Sequence, residues 1–301
     1  MPVRSEFMLH LPGDMRIGVT TNSAWAINQA GRMVLGAYLP GARVENGLQG
    51  NATYMVEHTE QRYRRGLTQD YHTVQVHDRW QNQFPADLPH LLYGIARAYW
   101  LQRGLFPVHA ACVEQGGKGT LLAGHSGMGK SSLALALVTQ HGRRLVSGNT
   151  TLVRIDQGAL VAVAGTPVMT LKTADFQKSG YKAADKTQYG DRTAFTLQAE
   201  QYSSTSQCAI GCIVLPRISG SRQTWHPVQA LSAVHRLHPQ FMDVERQDVV
   251  VAEGAGVYTG IVSVNVRRQL GSALAGALRS TPVFEGMGSQ NFLADRIAHA
   301  A

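Results

Sequence analysis

Residues 124–131 read Gly124-His125-Ser126-Gly127-Met128-Gly129-Lys130-Ser131. The stretch fits the phosphate-binding pattern G-x-x-x-x-G-K-[ST] at every fixed position. Upstream, Gly119-Thr120-Leu121-Leu122-Ala123 is a short apolar run suited to a buried strand. Downstream, Ser132-Leu133-Ala134-Leu135-Ala136-Leu137-Val138 is rich in strong helix formers. Strand, glycine loop and helix in this order predict an α/β fold with the loop at its functional end. Gly124, Gly127 and Gly129 let the backbone take conformations closed to residues with a Cβ, so that successive N–H groups turn inward around a polyphosphate. The helix starting near Lys130 adds its positive N-terminal dipole. Lys130 is placed to reach the β- and γ-phosphates, and the Ser131 hydroxyl to ligate Mg²⁺. The expected nucleotide-binding set is therefore Gly124, His125, Ser126, Gly127, Met128, Gly129, Lys130, Ser131 and Ser132, with His125 at a free position of the motif. ATP or GTP and Mg²⁺ are the expected ligands; the motif does not distinguish the bases.

Composition narrows the classes. At 301 residues the chain can bury a sizeable core, and 44% hydrophobic content is that of an ordinary globular protein. No run of about 18 apolar residues occurs, so no membrane span is expected. The first residues, Met1 to Glu6, lack an apolar core, and Cys112, Cys208 and Cys212 are too few and odd in number for a disulfide framework. A cytoplasmic protein is the expectation. Cys208 and Cys212 read as core positions of a strand. The net charge of +8 permits an anionic partner. The arginines are nevertheless scattered, with small groups at Arg62/Arg64/Arg65, Arg143/Arg144 and Arg267/Arg268, and no nucleic-acid-binding motif is present. Nucleic acid is therefore disfavoured as a partner. Only six of the 28 basic residues are lysine, and one sits where the motif requires it.

Residues 1–86 read as a small β-rich domain of short strands, among them Arg32–Leu35 and Tyr71–Val76, joined at Pro12-Gly13, Pro40-Gly41 and Asn46-Gly47. A helix follows Asp87, with Leu91, Leu92, Ile95, Ala96, Tyr99 and Trp100 at helical spacing and Gly104 beyond its end. The runs 107–113 and 118–123 around Gln115-Gly116-Gly117 predict a hairpin. Strands are expected near 143–149, 151–155, 159–163, 167–171 and 209–215, and helices over 228–237 and 267–279. Residues 173–206 have the composition of a mobile surface segment or a lid over the nucleotide. Residues 87–301 would form the nucleotide-binding domain.

The run from Pro107 to Arg154 resembles the catalytic domain of HPr kinase/phosphorylase and of the smaller HPr-kinase-like serine kinases. The matching residues are His109-Ala110-Ala111, the glycine hairpin, Gly124 through Leu137, Arg143-Arg144-Leu145-Val146 and Leu152-Val153-Arg154. Gly165-Thr166-Pro167 and the strand to Lys172 follow the same pattern. The likeness is specific over about 50 residues, weaker after 173 and absent in 1–86. It implies the phosphoenolpyruvate-carboxykinase-like fold, a mixed β-sheet with flanking helices around the phosphate loop. The implied activity is a cytoplasmic kinase that transfers the γ-phosphate of ATP to a hydroxyl, on a serine of a peptide or protein or on a small molecule. The family also implies a homo-oligomer.

In the family, the strand after the loop helix ends in two aspartates, one of which acts as base and helps to hold Mg²⁺. Gly148 and Asn149 occupy those positions here. Asn149 still offers a carbonyl oxygen to Mg²⁺ but not a proton-accepting carboxylate. His109, near the γ-phosphate in family members, becomes a candidate base because imidazole titrates near neutrality. The expected catalytic residues are thus His109, Asn149 and Lys130, and the expected metal ligands Ser131 and Asn149. Arg144, Arg154 or Lys172 would neutralise developing charge, and Asp156 is a candidate replacement acid. The alternative is a nucleotide-binding regulatory or accessory protein that has lost transfer with its aspartates.

Overall fold

The computed structural model describes residues 4–60, 66–70, 73–78, 80–81, 84–85, 87–205, 207–220, 222–243, 248–250, 257–259 and 264–300. The Arg62/Arg64/Arg65 group, Tyr71 and His72 lie outside them.

The first layer is a six-stranded sheet of Ser5–Leu11 (β1), Met15–Thr21 (β2), Arg43–Asn46 (β3), Tyr54–Glu60 (β4), Gly66–Asp70 (β5) and Thr73–Asp78 (β6), in the order β3-β1-β2-β4-β6-β5. Between β2 and β3 lie the helices Ala24–Ile27 (α1) and Gln29–Tyr38 (α2). Residues Arg32–Leu35, expected as a strand, are helical within α2. The Asn28 side chain accepts from the Gly31 N–H at 2.9 Å and caps the helix, while Met33, Val34 and Ala37 turn one face to the core. A local apolar run does not by itself separate a buried strand from a helix face.

After the short strands Trp80–Gln81 (β7) and Phe84–Pro85 (β8) comes Asp87–Leu101 (α3), which packs on the first sheet. Its Leu91, Leu92, Ile95 and Trp100 are buried. Tyr99 Oη and Trp100 Nε1 donate to the carbonyls of Gly13 and Pro12, both at 2.9 Å, and so hold the β1–β2 turn.

The second sheet is mixed and curled. Its strands are Leu105–Val108 (β9), Ala110–Gln115 (β10), Lys118–Ala123 (β11), Arg144–Ser147 (β12), Thr151–Asp156 (β13), Ala159–Gly165 (β14), Cys208–Ile218 (β18), Thr224–Pro227 (β19) and Val283–Gly288 (β22). The order is β12-β10-β11-β18-β14-β13-β9, with β22 pairing β18 and β19. β18 is parallel to both β11 and β22. β10 and β11 form the expected hairpin, with Gln115 opposite Lys118 and positive φ at both turn residues, Gly116 (59°) and Gly117 (78°). The expected strand 107–113 is broken at His109. β9 pairs with β13 while β10 pairs with β11 and β12, so one residue carries the chain from one end of the strand order to the strand next to the other end. The Thr151 hydroxyl donates to Ala110 O at 2.9 Å across that seam.

Lys130–His141 (α4) follows the glycine loop and ends at Gly142 (φ 64°). Of residues 173–206, expected as a mobile surface segment, the described ones, 173–205, fold instead. Thr173–Ser179 (α5), Lys186–Tyr189 (β16) and Arg192–Phe195 (β17) join Met169–Lys172 (β15) in a small sheet ordered β15-β17-β16. Phe176, Phe195 and Leu197 anchor the segment in the core around α4. A short 3-10 helix, Ala199–Gln201, and Ala230–Phe241 (α6), Asp248–Val250 (β20), Val257–Thr259 (β21), Val264–Ala277 (α7) and Gln290–Ala300 (α8) complete the described elements. α6 runs four residues past its expected end at 237. Cys112, Cys208 and Cys212 are all buried; Cys112 and Cys208 lie against Gly119, and Cys212 is opposite Thr120. Arg143 is also buried and donates to Thr120 Oγ1 and Ile297 O, both at 2.8 Å, fastening α8 to the sheet. Burial holds its pKa below the usual value. No described helix is long and apolar enough to cross a membrane.

Candidate functional site

β11 delivers the loop at its C-terminal end, between the ends of β10 and the parallel strand β18. The loop is held open by backbone geometry that glycine supplies: φ is 135° at Gly124, 83° at Gly127 and 91° at Gly129. At Gly129 a second constraint acts, since a Cβ would sit 2.4 Å from Ile218 Cδ1. Ile218 N donates to Met128 O at 3.2 Å, so the end of β18 braces the loop from behind. Lys130 is buried, and its Nζ donates to the carbonyls of Gly124 (2.5 Å) and His125 (2.9 Å), folding the loop over its own lysine. Gln290 Nε2 donates to Ser132 O at 3.1 Å and ties α8 to the first turn of α4.

In front of Lys130 and Ser131 lies a cavity of about 170 Å³. Ser126, Gly127, Gly129 and Ser132 line it from the loop, and His109, Asn149, Thr170, Lys172, Asp175 and Arg192 from elsewhere in the chain. His109, Asn149, Lys130 and Ser131, expected together from the sequence, do share this space. Gly124, His125 and Met128 do not line it; they border a separate cavity with Arg217, His235 and Arg236. Among the proposed charge-neutralising residues, Lys172 lines the site. Arg154 is exposed and pairs with Asp156 at 3.3 Å, which removes both from the cavity. Arg144, exposed on β12, is not among the lining residues.

Two charged lining residues were not assigned to the site from the sequence. Arg192 opens β17, and Asp175 sits in the first turn of α5. Asp175 is exposed and is the one carboxylate among the residues lining this cavity. Both come from the segment whose polar composition read as loop.

The turn after β12 explains how positions 148 and 149 are used. Ser147 Oγ donates to Thr150 O at 2.6 Å and accepts from Thr166 N at 3.2 Å. Thr166 Oγ1 accepts from Asn149 N at 2.9 Å and from Thr150 N at 3.1 Å, and Gly148 N donates to Thr166 O at 2.8 Å. Asn149 Nδ2 donates to Ala37 O, in the last turn of α2, at 2.7 Å. The side chain thus bridges the first layer and the site. An aspartate here would turn a carboxylate oxygen toward a carbonyl. The Asn149→Asp variant is therefore expected to lose about 1–2 kcal/mol of stability and to gain no transfer activity, as read by urea denaturation and ADP release. A sharp rise in ADP release at unchanged stability would contradict this account of Asn149.

The donor set is chemically coherent. Lys130, Lys172 and Arg192 are three cations around a phosphate-sized space, and the Ser131 hydroxyl, Asn149 amide oxygen and Asp175 carboxylate are hard oxygen donors of the kind Mg²⁺ accepts. Among the described residues no group of three or more His, Cys, Asp and Glu is arranged to hold a metal. Mg²⁺ bound through phosphates needs only one or two protein oxygens.

No protein-family model matches the chain, and no curated protein matches it. Among solved structures, the HPr(Ser) kinase/phosphatase from Coxiella burnetii is similar at 12% sequence identity and a TM-score of 0.31, over 64% of this chain and 91% of that one.

Proposed function

We propose that the chain is an ATP- and Mg²⁺-dependent phosphotransferase of the HPr-kinase-like kind, with the phosphoenolpyruvate-carboxykinase-like fold in residues 87–301 and a β-rich domain in 1–86. One observation carries the reading: a single cavity joins the Lys130-Ser131 loop end to His109, Asn149, Lys172, Asp175 and Arg192. Loop N–H groups and Lys130 hold the β- and γ-phosphates. Lys172 and Arg192 lie where charge on the transferred group would be neutralised. Bound Mg²⁺ would screen the phosphate oxygens, with Ser131 and Asn149 as its protein ligands. The acceptor hydroxyl, of a peptide or protein serine or of a small molecule, attacks the γ-phosphorus. The new O–P bond forms as the bond to the β-phosphate oxygen breaks, ADP departs, and the hydroxyl proton passes to His109 or Asp175. A cytoplasmic homo-oligomer is part of this reading.

The alternative, a nucleotide-binding regulator, is favoured by the Asn149–Ala37 bond. It supplies a mechanical link from the phosphate cavity to α2 where the family would hold a carboxylate. Incubating the purified chain with Mg-ATP and a soluble lysate of its source cells, then analysing products by mass spectrometry, separates the two. A phosphorylated peptide, protein or metabolite together with ADP supports the kinase. ATP bound but intact supports the regulator. If Asp175 takes the proton, Asp175→Asn lowers the transfer rate about 10²-fold while ATP affinity stays within about threefold. An unchanged rate would assign the proton to His109 instead.

A further inference from the structure

A second, larger cavity of about 770 Å³ opens from the phosphate-sized one. The two share Gly127, Gly129, Ser132, Leu171 and Asp175, so a chain of phosphates seated at Lys130 has a continuous way out past Ser132. The cavity bordered by Met128 and Arg217 touches the loop too, but it shares no lining residue with the phosphate space.

We infer that the larger cavity is the nucleoside site, taking the base and ribose of a nucleoside triphosphate. The inference rests on the reading of the loop as a triphosphate site. Its volume lies within the range of small-molecule pockets, about 300–1,000 Å³, whereas the phosphate cavity is too small for a nucleoside. Its walls carry the mixture a base requires. Leu135 and Ala136 of α4, Leu171 and Ile218 give an apolar surface, and Gln140 and Asn291 bring amides that both donate and accept. Charge points the same way. The chain has only six lysines, and four of them line these two joined cavities: Lys130 and Lys172 the smaller, Lys178 and Lys182 the larger. Lys178 and Lys182 are both exposed at the rim, suited to phosphate oxygens or ribose hydroxyls rather than to the base. Tyr181, between them in the chain, is held by its hydroxyl donating to Gln201 Oε1 at 2.5 Å and by its ring against Phe195, so this wall is preorganised.

The test compares ATP with inorganic tripolyphosphate by calorimetry on the full chain, and maps the base with 8-azido-ATP. On the wild-type protein, ATP is expected to bind at least tenfold tighter than tripolyphosphate. The azido label is expected in peptides containing 135–140, 178–182 or 290–291. Asn291→Trp, at an exposed position of α8 on the cavity wall, is expected to lower ATP affinity at least tenfold more than tripolyphosphate affinity. Equal affinities for ATP and tripolyphosphate would overturn the nucleoside site and leave the loop assignment standing, as would a label confined to 215–217 or 235–240. Binding of neither compound would overturn the loop assignment itself.

Discussion

Lys130→Ala is expected to weaken ATP binding at least 100-fold, about 2.7 kcal/mol. Two losses combine. The ammonium is the cation nearest the phosphates in the motif's own logic, and a phosphate oxygen left without it keeps its desolvation cost. The same ammonium also holds the carbonyls of Gly124 and His125, so its removal frees the loop to turn those oxygens toward an incoming anion. Lys130→Arg is expected to restore little, because a planar fork cannot occupy the space that a compact ammonium fills between two carbonyls. Calorimetry with Mg-ATP reads the effect, and circular dichroism checks that the fold persists. ATP affinity within threefold of the wild type in Lys130→Ala would remove the loop assignment and everything built on it.

Introducing at position 148 the carboxylate that the resemblance implies is expected to fail for steric reasons. A Cβ at Gly148 would lie 2.8 Å from both Val168 O and Met169 Cγ. The carbonyl belongs to backbone and cannot rotate aside as a side chain would. Gly148→Asp is expected to cost on the order of 3 kcal/mol, overpacking plus a carboxylate forced against a carbonyl. Gly148→Ala should cost part of that, isolating the steric share. Equilibrium urea denaturation of the full chain measures both. An Asp variant as stable as wild type, and faster in ADP release, would mean that the turn is free to reopen and would overturn this steric account.

The legibility of the site follows the range of its interactions. Loop, hairpin and flanking helix were readable because each is decided within a dozen residues: Gly116-Gly117 can take positive φ in sequence, Lys130 and Ser131 open a helix of strong formers, and Gly142 closes it. His109, Asn149 and Ser131 were expected together through a resemblance spanning those same residues. The misread stretches are those where a few residues outweigh the average character of the run. Arg32–Leu35 carries an apolar run that either element could bury, and the cap at Asn28 and the face turned to the core make it helix. Residues 173–206 are polar on average, yet Phe176, Phe195 and Leu197 suffice to pin them on α4, which places Asp175 and Arg192 at the cavity. Composition averages over a window and so hides three anchors in thirty-odd residues.

What the sequence alone determined about this protein is a glycine loop with its lysine and serine between a buried strand and a helix, and Gly148-Asn149, with no carboxylate, after the next strand. Those are properties of residue type and spacing along one chain. Only the tertiary structure decided that no side chain fits at 148, that Asn149 is tied to the carbonyl of Ala37, and that a carboxylate of α5 lines the cavity. Each depends on backbone brought close from far along the chain, where packing, not spacing, sets the distance.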